Sequence, residues 1–235
     1  KTAIFESLGI DVLFVAKFDA QLASKTGEEF VREILIDAIG MKYCVIGHDH
    51  AFGKNRSGNY QTLLELSKTL DFIVDRVEAY SQSDIIVNST TIRKFLSEGD
   101  VSQVAELLGR RYSVSGNIIR GDGRGRTIGI PTANLTLDHP KKLIPRNGVY
   151  ATWLNLEGKK YPAVTNIGTR PTYDGLTVTI ETHILNFSKD IYGQGIQLEF
   201  ISRIRDEKKF ASPDELISAI RSDIDVAIKQ GFTKI

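Results

Sequence analysis

The sequence predicts an α/β domain followed by an all-β domain, an antiparallel barrel with one helix at its end. Three observations carry that prediction. The first hundred residues alternate apolar, β-branched runs with amphipathic stretches of helical period, the pattern of a parallel sheet covered by helices. After Gly109 the period drops to two, with glycine-bearing turns between the runs, which suits an antiparallel sheet or closed barrel. From Ser212 onward a helix start signal precedes an apolar stripe.

Lys1 to Gly9 has no initiator Met and reads as the tail of a helix closed by Gly9, so an upstream part is expected to be missing. Val12 to Ala16, Tyr43 to Gly47 and Phe72 to Val77 read as buried strands. Between the first two, Thr26 can cap a helix with Glu29 three residues on, and Phe30, Val31, Ile34, Leu35 and Ala38 recur at helical spacing. A helix is expected from Tyr60 to Leu70, another after Ser89-Thr90, and a third opened by Asp100 and closed by Gly109. Alternating strands follow at 112–119, 149–156, 161–167, 178–185 and 196–201, with turns at Glu157-Gly158 and Asp174-Gly175. Ser212, Pro213 and Glu215 then start a helix whose apolar stripe runs through Leu216, Ile217, Ile220, Ile224 and Ala227 to Gly231. The change of texture at 108–111 divides the chain into domains 1–108 and 109–235, and no internal repeat is apparent.

The chain has 235 residues, 41% of them hydrophobic, which suffices for buried cores. Thirty Lys and Arg against 29 Asp and Glu leave a net charge of +1, so no global field points to nucleic acid or an anionic membrane. Any anion recognition must be local. The single cysteine, Cys44, sits in the apolar run Tyr43-Cys44-Val45-Ile46 and reads as a small buried hydrophobe. Without a second cysteine there is no internal disulfide, which fits a reducing cytoplasm. No stretch approaches the roughly 20 apolar residues of a membrane span, and no signal peptide is visible.

The local feature is Gly121 to Asn134, which holds Gly121, Gly123, Gly125 and Gly129, the cations Arg124 and Arg126, and a Thr132-x-Asn134 pair. Glycine lets backbone N–H groups approach an anion, and the arginine fork adds permanently charged donors. Thr132 and Asn134 offer the neutral oxygens that a phosphate-bound Mg²⁺ accepts. Glycine and arginine alone would equally describe a solvated hairpin or an RNA-binding tail; the Pro-Thr-Ala-Asn-Leu that follows shifts the reading toward a phosphate site. Phosphoryl transfer to an alcohol also needs a base. Glu181, in the apolar strand Thr179-Ile-Glu-Thr-His-Ile, is the candidate, with an outward-facing strand residue as the equal alternative. Asn166 and Arg170 could orient a polar ligand or make a turn.

These segments resemble the bacterial bifunctional riboflavin kinase/FMN adenylyltransferases, the FAD synthetases. The kinase resemblance covers 109–235 through Leu-Leu-Gly-Arg-Arg-Tyr at 107–112, Gly-Arg-Thr-Ile-Gly-Ile-Pro-Thr-Ala-Asn-Leu at 125–135, Asn-Gly-Val-Tyr-Ala at 147–151, Asn-Ile-Gly-Thr-Arg-Pro-Thr at 166–172, Glu-Thr-His-Ile-Leu at 181–185, Asp190-Ile-Tyr-Gly and Lys209-Phe. It implies a Greek-key barrel that binds MgATP and riboflavin. Thr132 and Asn134 would ligate Mg²⁺, the 121–129 loop would cover the phosphates, and Glu181 would be the base at the ribityl hydroxyl. Ile130 stands where the family usually has Phe, a modest apolar change.

The first domain is similar to the later part of the adenylyltransferase half, which implies a Rossmann-like nucleotidyltransferase domain, incomplete at its N-terminus. Gly47, Asp49 and Phe52, in Gly47-His-Asp-His-Ala-Phe-Gly-Lys-Asn-Arg-Ser-Gly, match the segment near flavin and nucleotide. Ser89, Thr90 and Arg93 match a Ser-Thr-x-Ile-Arg signature whose hydroxyls and arginine meet phosphates at a helix start, with Asn88 where the family usually has a further serine. The family's early His-x-Gly-His element occurs nowhere in this chain, and His48-Asp49-His50 does not replace it, nor does it supply enough ligands for a metal. His139 and His183 stand alone. The resemblance therefore implies a cytoplasmic riboflavin kinase that uses ATP, with adenylylation of FMN poor or absent. Two rivals come from other classes. A flavin-binding module without catalysis is opposed by the intact Thr132, Asn134 and Glu181 set. An RNA-binding barrel is opposed by the balanced charge and the lack of clustered strand aromatics.

Overall fold

The computed structural model describes residues 2–121, 123, 125, 128–172, 175–230 and 232. The chain forms two compact units, Lys1–Tyr80 and Ser81–Ile235. The first opens with α1 (Thr2–Ser7), closed at Gly9 with φ 73°. The run Val12 to Ala16, expected as a buried strand, lies in neither a strand nor a helix, with Val12 81% and Val15 80% exposed. A parallel strand is stabilised by its ladder and by cover on both faces. The described residues give this run neither, so its backbone stays with water.

After the short helix α2 (Ala20–Ser24), Thr26 and Glu29 make the capping box that starts α3 (Gly27–Glu29), which runs on as a wider π-helix over Phe30–Ala38. Its end is marked by the i to i+5 bond from Ile39 N–H to Ile34 O, 3.1 Å. Strands β1 (Tyr43–Gly47) and β2 (Ile73–Val77) pair in parallel, Tyr43 opposite Ile73 through Gly47 opposite Val77. Between them Asn59 caps α4 (Tyr60–Leu70). Val31, Ile46, Leu63, Leu66, Phe72 and Val74 form this unit's core.

The second unit starts with a hairpin of β3 (Ser81–Gln82) and β4 (Ile85–Ile86), then α5 (Ser89–Glu98) and α6 (Val101–Leu108). The caps are local: Asn88 Oδ1 accepts from Thr91 N–H at 2.8 Å, and Asp100 Oδ1 from Gln103 N–H at 3.0 Å. These two helices lie in the same compact unit as the residues that follow them. Leu96, Val101 and Val104 share one core with Tyr150, Leu198 and Phe200 of the barrel. Burial follows contact, not periodicity.

The barrel is built from β5 (Ser113–Ile119), β6 (Ala133–Leu137), β7 (Gly148–Leu156), β8 (Lys159–Thr172), β9 (Gly175–Ile184) and β10 (Gly195–Arg205). It closes in the order β10-β5-β6-β9-β8-β7, every pair antiparallel. Closure removes sheet edges. Strand β6 was not among the expected strands: five residues after a glycine-rich loop give little alternation to read. Glu157 and Gly158, with φ 49° and 75°, make the tight turn between β7 and β8; Asp174 of the other expected turn, and Gly231, lie outside the described residues. Three threonines cross the interior, Thr152 Oγ1 to Thr165 Oγ1 at 2.8 Å and Thr165 Oγ1 to Thr182 Oγ1 at 3.0 Å, all buried. Helix α7 (Pro213–Lys229) starts as expected, Ser212 Oγ accepting from Glu215 N–H, and Ala227 with Ile224 packs on Val149, Ala151 and Val164. Among the described residues no helix is long and apolar enough to cross a membrane.

Candidate active site

Strand register assembles the site. Asn134 on β6 lies directly opposite Glu181 on β9, and Glu181 directly opposite Asn166 on β8. Cross-strand partners share a face with β-carbons about 4.5–5.5 Å apart. A row Asn134–Glu181–Asn166 thus runs across three strands, although these residues are far apart in sequence. All three line a cleft of about 670 Å³, together with Thr132, Arg170, Gly123 and Gly125. Glu181 therefore faces the cleft. Arg170, four residues from Asn166 on the same strand, puts Nη2 3.7 Å from Glu181 Oε1. His183, two residues beyond Glu181, holds Pro131 O at 2.8 Å from its Nδ1 and so ties β9 to the segment entering Thr132.

The glycine loop meets this row closely. A β-carbon at Gly121 would stand 2.2 Å from Asn134 Nδ2, and one at Gly125 would stand 2.3 Å from Ile130 O and 3.2 Å from Thr132 Oγ1. At Gly125 the obstacle is backbone, so only glycine allows that approach, whereas a side chain at Gly121 would displace the Asn134 amide. Gly129 has φ 75°, and Ile130 N–H donates to Gly125 O at 2.8 Å. Arg124 and Arg126, expected to meet phosphate, lie outside the described residues.

Two parts of the site were not found from sequence. A second cleft of about 390 Å³ lies at Thr132 and is lined by Pro131, Thr182, Phe187, Lys189, Asp190 and Tyr192 among others. Asp190 Oδ1 accepts from Tyr192 N–H at 3.0 Å, and the Arg120 guanidinium sits 5.1 Å from the Tyr192 ring centre. The Asp190-Ile-Tyr-Gly turn was the available signal. The other part is the far wall of the larger cleft: Arg205, Phe210, Leu216, Ile220 and Asp223. Lys209-Phe and the apolar stripe through Leu216 and Ile220 were its sequence signals, but the wall itself exists only once α7 docks.

The remaining expected positions divide between the two units. Gly47 ends β1 and Asp49 is exposed beside His48. Phe52 packs against Phe30, ring centres 5.8 Å apart, and its backbone pairs with Gly58 in both directions at 2.9 Å. Its fold role is thus evident. Ser89 and Thr90 open α5 behind the Asn88 cap, with Arg93 one turn on. No group of three or more His, Cys, Asp or Glu among the described residues could hold a metal ion. Cys44, expected as a buried hydrophobe, is only half-buried, and that partial burial pushes its thiol above its ordinary range.

Comparison with known proteins also divides the chain in two. A riboflavin kinase family model matches residues 108–230, and an FAD synthetase family model matches residues 1–91. The chain is 38% identical over 228 residues to a bifunctional riboflavin kinase/FMN adenylyltransferase of Haemophilus influenzae, covering 97% of this chain and 73% of that protein. It is 35% identical over 216 residues to the protein of the same name from Escherichia coli K12, covering 92% of this chain and 68% of that protein. A crystal structure described as a macrolide-efflux protein from Streptococcus pneumoniae aligns with TM-score 0.87 and 32% identity, over 96% of this chain and 72% of that one.

Proposed function

The chain belongs to the bacterial bifunctional riboflavin kinase/FMN adenylyltransferase family and carries a riboflavin kinase, and from that premise we propose how its residues divide the work. The kinase module is 109–235 and the adenylyltransferase-derived module 1–108. In the barrel, riboflavin enters the larger cleft and ATP the smaller one, with its phosphates beneath the glycine loop at Thr132, where the two clefts adjoin. Glu181 accepts the proton of the ribityl terminal hydroxyl as that oxygen bonds to the γ-phosphorus. The bond from the γ-phosphorus to the bridging oxygen breaks, and FMN and ADP result. Arg170 and Asn166 orient the carboxylate and the incoming alcohol.

Thr132 Oγ1 and Asn134 Oδ1 would hold Mg²⁺. The close fit of Gly121 and Gly125 against these two side chains supports that reading, since a β-carbon at either glycine would crowd the groups that must reach the ion. When bound, the ion offsets charge on the ATP phosphates. The observation that carries the proposal is the Asn134–Glu181–Asn166 row, which sets the candidate base one strand from a candidate metal ligand. Mixing the chain with MgATP and riboflavin should release FMN, read by chromatography. Tight flavin binding without FMN would refute the kinase mechanism.

FAD formation from FMN and ATP is expected to be poor in this chain, because no His-x-Gly-His element occurs in it to stabilise the transferring phosphate. Incubation with FMN and MgATP tests this directly. FAD release as fast as FMN release would overturn it.

A further inference from the structure

We propose that the Arg205–Asp223 pair is a positioning device for the flavin substrate, fixing the wall that α7 gives to the larger cleft. The inference rests on the kinase reading above. Asp223, midway along α7, is only 5% exposed. Its carboxylate takes both prongs of the Arg205 fork from the end of β10, Nε to Oδ1 and Nη2 to Oδ2, each 2.8 Å. The third nitrogen, Nη1, donates to Asp206 O at 3.0 Å, and the guanidinium lies 5.6 Å from the Phe210 ring centre.

Stability does not account for such a pair. Desolvating two charges costs about what their attraction returns, and an apolar pair of similar volume often does as well or better. What a two-pronged contact adds is geometry, since it sets both the distance and the rotation of a helix against a strand. The apolar contacts of Ile224 and Ala227 on the barrel are non-directional and set neither. Leu216, Ile220 and Asp223, spaced four and three apart, lie on one face of α7 and all line the cleft, as do Val149 and Val164 of the barrel. Leu216, Ile220, Val149 and Val164 thus give the cleft an apolar part of its lining, the chemistry that a flat ring system takes. The Arg205–Asp223 pair holds α7 at the spacing that ring system needs. The smaller cleft, lined by neither residue, is untouched by it.

Steady-state kinetics with riboflavin and ATP varied separately test this. Lysine keeps the charge but not the fork, so R205K should raise KM for riboflavin about tenfold, within the roughly 100-fold that a ~1 Å misplacement can cost. KM for ATP should not change, and kcat should fall less than kcat/KM. A purely structural role would lower the amount of active enzyme and leave both KM values alone, and that result overturns the proposal, as does an equal rise in both. If R205K does not fold, the apolar double variant R205M/D223L carries the test. A folded double variant with a raised riboflavin KM supports the proposal, and one with the native KM overturns it. Failure of the native chain to make FMN would instead mark failure of the kinase reading.

Discussion

The two units solve the same burial problem with unequal means. In the barrel each of six strands has two neighbours, and the polar groups left inside, Thr152, Thr165 and Thr182, satisfy one another. In the first unit a two-stranded parallel sheet leaves Tyr43, Val45, Ile73 and Val77 more than half exposed, and the apolar run at 12–16 has no strand partner among the described residues. The difference lies in how locally each pattern is satisfied. Antiparallel neighbours joined by tight turns find their ladder nearby, whereas parallel strands depend on partners a crossover away.

Four experiments break or sharpen that comparison. The largest effect is expected from Glu181→Gln, which should lower FMN formation about 10²–10⁴-fold, the usual cost of a lost general base, with little change in either KM. Any residual FAD formation should persist, since it is assigned to the other module. Leu63→Ala, at a 1% exposed core position of the first unit, should cost about 2–5 kcal/mol there. Denaturant unfolding should show an early transition for that unit while kinase turnover survives. A single merged transition would show that the units unfold together.

Thr165→Val, which takes the Thr165 hydroxyl from Thr182 Oγ1 while Thr152 Oγ1 still donates to Ala163 O, should cost about 1–3 kcal/mol of barrel stability in the same measurement. The smallest effect concerns Asp206. A hydrogen bond of 2.6 Å from Arg203 holds this carboxyl below its ordinary value of 3.8. A depressed carboxyl contributes stability that is present above 3.8 and lost as pH falls through the lowered value. Native chain and Asp206→Asn should therefore differ slightly near neutral pH and converge in acid, as followed by thermal unfolding across pH.

Much of the fold was legible because its signals are short-ranged. The Thr26–Glu29 capping box, the Asp100 cap, the turn at Glu157-Gly158 and the Ser212-Pro213 start each depend on residues within four positions of one another. The strand expected at 12–16 failed for the complementary reason, since an apolar β-branched run records a demand for burial without naming a partner. Strand β6 escaped notice because five residues carry too little period, and α5 and α6 joined the barrel because their apolar faces cannot say which core will receive them.

The site divides in the same way. The sequence by itself determined the chemistry on offer: glycines that admit an anion, neutral oxygens at Thr132 and Asn134, and the Glu181 carboxylate in an apolar strand. Tertiary structure decided which of these meet. Asn134, Glu181 and Asn166 became neighbours through register alone, and Arg205 reached Asp223 only when α7 closed over the barrel. Side-chain type is a local property of the chain, but proximity between distant residues is set by backbone pairing and packing, which no short stretch of sequence encodes.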